Sequence, residues 1–235
     1  MTHARRPRQL DDLTDIPLFR HIEPSVAEAY GSQAVWMTAN PGKLILDFKD
    51  LTSDVFFILS GRVRVVVRTP GGQELILTDI AAGSFFGEMA AIDGAPRSAC
   101  VTALVRTRFC KLPGRAFMQI LAEAPELAKE IMQVMVVRIR ELTQRLFELS
   151  HLDIRHRLHA ELLRAAGPPG PLGERVISPP PLQQILAARV GARREPVSRE
   201  IARLIREGTL ARTRGALIIR QPQILEYGLV SAMQD

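Results

Sequence analysis

Apolar and polar residues alternate with a period of two through Arg62-Val63-Arg64-Val65-Val66-Val67-Arg68. This spacing predicts a strand with Val63, Val65 and Val67 on one face and Arg62, Arg64 and Arg68 on the other. Thr69-Pro70-Gly71-Gly72 supplies turn chemistry, and Glu74 to Thr78 returns as the partner strand. Ser98 to Val105 and Arg106 to Leu112 read as a second pair. Residues 33–112 as a whole predict several short strands, hence a small antiparallel roll or barrel.

After Pro113 the period changes. Between Pro125 and about Ser150 there is no Gly or Pro, and Ala128, Met132, Met135, Ile139, Leu142, Leu146 and Leu149 recur at alternating steps of four and three. That is an a/d seam, predicting a long helix that pairs with a second copy of itself. A further helix is predicted from His151 to Ala166. Gly167-Pro168-Pro169-Gly170-Pro171-Leu172-Gly173 breaks regular structure, as does Pro179-Pro180-Pro181. Two short helices follow, Leu182–Val190 and Glu195–Gly208, joined by Gly191-Ala192-Arg193, which is the pattern of a helix-turn-helix. Thr209–Thr213 and Ala216–Arg220, around Arg214-Gly215, predict a β-hairpin wing. The expected class is α+β.

Charge changes this picture by locating a partner. Residues 151–235 hold 13 Arg, no Lys and 8 acidic residues, a net +5, whereas residues 1–150 hold 18 basic and 17 acidic residues, a net +1. A basic excess confined to the helix-turn-helix third points to a polyanion, most simply double-stranded DNA. The N-terminal stretch is polar and mixed in charge, without a secretory apolar core, and no apolar run approaches the roughly 18 residues of a membrane helix. A cytoplasmic protein without membrane contact is expected.

Candidate chemistry narrows the class. Cys100 and Cys110 fit no C-x-x-C pattern and read as buried reduced thiols; an iron–sulfur cluster held by about four thiolates is excluded within one chain. There is no nucleophile elbow, phosphate-binding P-loop or metal-ligand cluster, so neither enzyme activity nor a metal is expected. His151, His156 and His159 fall in one predicted helical stretch and read as surface residues.

The most informative segment is Phe85-Phe86-Gly87-Glu88-Met89-Ala90-Ala91-Ile92-Asp93-Gly94-Ala95-Pro96-Arg97-Ser98-Ala99. Gly87 permits close backbone approach, N–H groups opening a short helix can receive an anion, Arg97 can neutralise a phosphate through paired hydrogen bonds, and Glu88 can accept from a hydroxyl. The segment resembles the phosphate-binding cassette of cyclic-nucleotide-binding domains, F-G-E-[LM]-[AS] followed by a short helix and P-R-[ST]-A. The resemblance implies that Gly87, Glu88, Met89, Ala90, Arg97 and Ser98 form a ligand site, with Glu88 on the ribose 2′-hydroxyl and Arg97 and Ser98 on the cyclic phosphate. Upstream, Asp47-Phe48-Lys49-Asp50 stands where such domains usually carry a Gly between two acidic residues.

Gly191 to Leu204 resembles the recognition helix of the Crp–Fnr family, G-x-S-R-E-T-V-S-R-x-L-x-x-L. With the cassette, the resemblance spans roughly residues 20–220. It implies a β-roll cyclic-nucleotide-binding domain with an N-terminal helix (1–113), helices including the dimerisation helix (114–152), and a winged helix-turn-helix (153–235). It also implies a homodimer through residues 128–149, an allosteric transcription regulator, and contact with RNA polymerase. Arg194, Glu195 and Arg199 would face base edges of a palindromic TGTGA-like site, while Arg193, Ser198 and Arg214 would contact phosphates. Pro196 replaces a usual Thr, Leu182 stands where a capping Ser or Thr is typical, Ile185 where Glu is common, and Arg189 where an apolar residue is common.

Family members that bind cyclic AMP place a Thr-Ser pair against adenine. Aligned on His151-Leu152-Asp153-Ile154, this chain has Leu142-Thr143 there. Only Thr143 keeps a hydroxyl, and Ser98 is compatible with guanine, so cyclic AMP is favoured and cyclic GMP remains open. The alternative is a Crp–Fnr-type regulator that answers haem, gas, redox state or no ligand.

Overall fold

The computed structural model describes residues 12–68, 71–72 and 74–232. The chain divides into two compact units. One comprises the residues up to Val67 with Leu77–Val137; the other comprises Arg68–Ile76 with the residues from Arg138 onward.

The first unit opens with short 3-10 turns at Leu13–Asp15 and Pro17–Phe19 and helix α1 (Pro24–Gly31). Strands β1 (Val35–Ala39), β2 (Leu44–Leu46), β3 (Val55–Ser60), β4 (Arg62–Arg68), β5 (Glu74–Ala81) and β6 (Phe85–Phe86) follow. The six-residue helix α2 (Glu88–Asp93) and strands β7 (Cys100–Ala103) and β8 (Thr107–Leu112) complete the roll. Two four-stranded sheets result, ordered β1-β8-β3-β6 and β2-β7-β4-β5. Helices α3 (Gly114–Glu123) and α4 (Pro125–His151) come next.

Strand β3 shows why two sheets form. Its run Val-Phe-Phe-Ile has no polar face, so both sides must be covered. Val55 and Phe57 join one core with Phe19, Phe117 and Ile131. Phe56 and Ile58 join the other, with Phe86, Phe109 and Val63. The aromatic rings interlock, with Phe19–Phe57 centroids 4.8 Å apart and Phe56–Phe86 stacked at 4.9 Å. Burying each such ring contributes about 1.5–3 kcal/mol.

Strand β4 departs from its alternation. Val63 is buried as expected, but the second buried residue is Val66, on the arginine face, while Val65 and Val67 are half-buried. β4 is an interior strand between β7 and β5, and Val66 stands opposite the buried Cys100 of β7 on the same face. On that same face Arg64 is paired to Asp79 at 2.7 Å. The expected turn falls partly outside the described residues, since Thr69 and Pro70 are among those not described.

Helix α4 runs 27 residues, about 40 Å at 1.5 Å per residue. Leu127 and Ile131 are buried in the first unit's core, and Met135 packs against it. Met132, Ile139, Leu142, Leu146 and Leu149 are exposed in the single chain. The helix stops at His151, because Asp153 leaves the helical conformation to cap the next one, accepting from the His156 N–H at 2.9 Å. The single stretch expected from His151 is therefore two elements: His151 ends α4, and α5 is Ile154–Ala165.

The second unit continues with β9 (Arg175–Ile177), α6 (Gln183–Arg189), α7 (Arg194–Arg206), β10 (Leu210–Arg212), β11 (Leu217–Ile219) and α8 (Pro222–Ala232). The wing is three-stranded, ordered β10-β11-β9. Leu158, Leu162, Leu186, Val197, Ile201, Leu204, Ile219 and Leu225 form the core of the second unit. Cys100 and Cys110 are buried free thiols. No helix among the described residues is long and apolar enough to cross a membrane.

Candidate functional site

The cassette segment is built by glycine. Strand β6 ends at Gly87, whose φ of 84° turns the chain into α2; a Cβ there would lie 2.8 Å from the Asp54 carbonyl oxygen and 3.0 Å from Arg97 Nη1. Only glycine fits. Glu88 opens α2 with 7% of its surface exposed, Ala90 is buried, and Met89 is exposed. Gly94, again left-handed, ends the helix. Ser98 is exposed, its Oγ 3.6 Å from the Met89 sulfur.

Arg97 is only 3% exposed. Its guanidinium donates to the Gly87 carbonyl at 2.8 Å, the Asp54 carbonyl at 2.9 Å and Thr52 Oγ1 at 3.1 Å. Its backbone is gripped as well: the Arg97 N–H donates to Asp50 O at 2.8 Å, and Lys49 N–H donates to Arg97 O at 2.9 Å. Burial lowers its pKa, opposed by the charges of Asp54, Asp50 and Glu88. A guanidinium has five N–H donors, so two remain for an anion. The donor set thus fits a cyclic phosphate: a guanidinium held rigidly, a glycine without a Cβ, a buried carboxylate and an exposed hydroxyl lie within one short segment. Sequence reasoning singled out neither Thr52 nor Asp54, and it drew no link between the 47–50 loop and Arg97. That loop holds Arg97 directly.

Of the other two ligand candidates, Thr143 is exposed on α4 and donates to the Ile139 carbonyl one turn earlier at 2.9 Å, and Leu142 is exposed beside it. They belong to the second unit, and the cassette belongs to the first.

The DNA candidates cluster at the start of α7. Arg193 is its N-cap, Arg194 and Glu195 are its first two residues, and Pro196 sits in the first turn, where no intrahelical donor is lost. Arg193, Arg194, Glu195 and Arg199 are all exposed, while Val197, Ile201 and Leu204 are buried. Ser198 is half-buried and donates to Gln183 Oε1 on α6 at 2.6 Å. Helix α6 has Leu182 as its N-cap and no side-chain cap bond. Arg214 lies exposed at the wing tip, where Thr213 N–H donates to Ala216 O at 2.9 Å.

The expectation that all three histidines lie at the surface fails for His159. It is buried and hydrogen-bonded through Nε2 to Glu200 of α7 at 2.8 Å. Glu200 also accepts from Arg203 at 2.6 and 2.9 Å and faces Arg155 at 3.3 Å. Burial alone would raise the Glu200 pKa, but the bonds from Arg203 and His159 outweigh it and leave about 2. Burial lowers the His159 pKa more than Glu200 raises it, so the ring is neutral at neutral pH. The signal was present in the sequence: Glu200 stands three residues after Val197 and four before Leu204, within the apolar stripe.

Comparison with known proteins gives two family matches: a cyclic nucleotide-binding domain over residues 37–124 and a Crp-like helix-turn-helix domain over residues 156–227. The Cyclic AMP receptor protein of Thermus thermophilus is 30% identical over 214 residues, 89% of this chain and 95% of that one. The CRP-like cAMP-activated global transcriptional regulator of Mycobacterium tuberculosis is 26% identical over 193 residues, 81% and 86% of the two chains. Among solved structures, a CRP/FNR-family transcriptional regulator of Thermus thermophilus superposes with a TM-score of 0.66 at 26% identity, covering 84% of this chain and 100% of that one.

Proposed function

This chain belongs to the Crp–Fnr family of transcription regulators, and we propose that it is a homodimer whose affinity for DNA is set by a cyclic mononucleotide, cyclic AMP ahead of cyclic GMP. The observation that carries this reading is the arrangement at Gly87: no side chain fits there, and the buried Glu88 and Arg97 flank it. In this reading residues 1–113 sense, 114–152 connect and 153–235 read DNA.

The ligand's cyclic phosphate meets the two remaining Arg97 donors and Ser98, its ribose hydroxyl meets Glu88, and Gly87, Met89 and Ala90 line the segment. Leu142 and Thr143 take the base. The names of the Thermus and Mycobacterium relatives favour cyclic AMP. Leu142 weakens that preference because it offers no hydrogen bond.

Two copies pair through the seam of residues 128–149, where exposed apolar residues recur at coiled-coil spacing. Two-fold pairing makes the site a palindrome, with TGTGA-like half-sites. Arg194, Glu195 and Arg199 read base edges; Arg193 and Arg214 contact phosphates, while Ser198 gives its one proton to Gln183 and so steadies α7 beside them. The protein acts in the cytoplasm alongside RNA polymerase and catalyses no reaction.

Fluorescence anisotropy with a labelled palindromic TGTGA duplex tests this. Saturating cyclic AMP should tighten binding by about 5- to 150-fold, the usual range of allosteric coupling. Equal affinity with and without cyclic AMP and cyclic GMP would overturn the reading.

A further inference from the structure

We propose that Glu161 is a positioning residue of the DNA reader, the buried centre of an ion-pair chain that transmits the placement of α4 to α6. The proposal rests on the ligand-controlled reading above.

The chain crosses three helices. Arg164 on α5 donates through Nη2 to both oxygens of Glu148 on α4, at 2.7 and 2.9 Å. Through Nη1 it donates to Glu161 Oε2, one turn back on α5, at 2.6 Å. The other oxygen of Glu161 faces Nε of Arg189, the last residue of α6, at 3.4 Å. Glu148 and Glu161 are 8% and 4% exposed. Arg145, half-buried on α4, is subject to the charges of Glu161, Arg164 and Arg189.

This arrangement differs from ordinary packing in what it fixes. A buried ion pair is weak evidence for stability, since well-packed apolar residues of similar volume often do as well or better. It does fix geometry. Arg164 forks between carboxylates on two helices, and such charge-assisted bonds keep short distances and fixed directions. Arg189 stands where the family pattern commonly has an apolar residue, and Glu161 is its buried partner. A shift of α4 against α5 would lengthen the Arg164–Glu148 bonds and, through the shared guanidinium, pull on Glu161 and α6. Helix α6 in turn holds α7 through Gln183 and Ser198. Ion pairs thus run unbroken from the helix that carries Leu142 and Thr143 to α6, and the neutral Ser198–Gln183 bond carries the link on to the recognition helix.

The test uses the full-length protein in four forms: wild type, Arg189→Lys, Glu161→Gln, and Glu161→Leu combined with Arg189→Leu. Glu161→Gln keeps the shape of the side chain and removes only its charge. The double variant removes Glu161 and Arg189 together, so Arg189 is not orphaned, and Arg164 keeps its two bonds to Glu148. For each form, melting temperature, cyclic AMP affinity by calorimetry, and DNA affinity with and without cyclic AMP are measured. The double variant should melt within a few degrees of wild type and bind cyclic AMP as wild type does. Its cyclic AMP-driven gain in DNA affinity should fall at least fivefold, about the smallest coupling counted as allosteric. Glu161→Gln should show the same loss, and Arg189→Lys should retain most of the gain. A wild-type gain in both Glu161 variants would overturn the inference and leave the ligand reading standing. No gain in the wild type itself would overturn the ligand reading and, with it, this inference.

Discussion

The backbone N–H of Lys49 donates to the carbonyl of Arg97 at 2.9 Å, and Lys49 adopts a φ of 65° in the loop that makes this bond. A residue with a Cβ is strained in that region by about 1–2 kcal/mol. The neighbouring bond, from Arg97 N–H to Asp50 O, completes a two-bond bracket around the cassette arginine. Lysine therefore stands at a left-handed position that glycine occupies without strain. Lys49→Gly should raise stability, the relief of strain being partly offset by the greater freedom of the unfolded chain, for a net gain of up to about 1 kcal/mol. Lys49→Val should lose stability, because a β-branched side chain is worse still there. Thermal melts of the two variants beside wild type check both directions.

The close approach of Asp54 and Arg97 to Gly87 predicts the behaviour of its alanine variant. A Cβ 2.8 Å from the Asp54 carbonyl must displace the backbone that Arg97 braces. Gly87→Ala should lose about 1–3 kcal/mol of stability, the usual cost of forcing a strained backbone position. Cyclic nucleotide affinity should fall at the same time. Calorimetry on the folded fraction at low temperature separates the two losses.

Glu195 and Arg214 are both exposed, but on different elements: Glu195 on the first turn of α7 and Arg214 at the wing tip. Glu195→Ala should cost about 1–3 kcal/mol on the preferred site and relax preference at one base pair of each half-site. Arg214→Ala should weaken binding about equally on all sequences and reduce the salt slope by about one. A panel of single-base operator variants, titrated at several salt concentrations, distinguishes these outcomes.

The His159–Glu200 pair predicts acid sensitivity of the second unit. Around His159 stand Glu200 and Arg203 of α7, His156 of α5 at 5.8 Å between ring centroids, and Gly228 of α8. The folded-state pKa of His159 lies below its ordinary 6.5, so on acidification the unfolded chain takes up the proton first. Stability is therefore full above pH 6.5 and falls as pH drops below it. Glu200, held at about 2 against an ordinary 4.5, adds a second loss between those values, in the same direction. His159→Gln can still donate to Glu200, so it should flatten the first loss and leave the second. Melting curves from pH 7.5 to pH 2.5 follow both losses.

Much of this architecture was legible because local chemistry dictates it. The helix of residues 125–151 has no Gly or Pro after its first residue and a steady apolar seam, and the α6–α7 turn is marked by Gly191, which takes a φ of 63°. The cassette was legible as a string of special residues whose spacing the chain preserves. What escaped sequence reasoning depends on partners distant along the chain. Val66 is buried opposite Cys100 of β7, and β9 is three residues long between Gly- and Pro-rich breaks, too short to show a period. Thr52 and Asp54 reach Arg97 across more than 40 residues of chain, and His159 reaches Glu200 across 41. No periodicity argument finds such pairs, although a glutamate within an apolar stripe marks where to look.

In the proposed reading, a braced Arg97 beside a bare Gly87 captures a cyclic phosphate. Isothermal titration of the purified protein with cyclic AMP, with cyclic GMP in a parallel cell, tests it most directly. Saturable heat is expected with at least one of them, cyclic AMP the tighter, and loss of that heat in Arg97→Ala. A flat titration with both nucleotides on folded protein, or an unchanged isotherm in the variant, would contradict it.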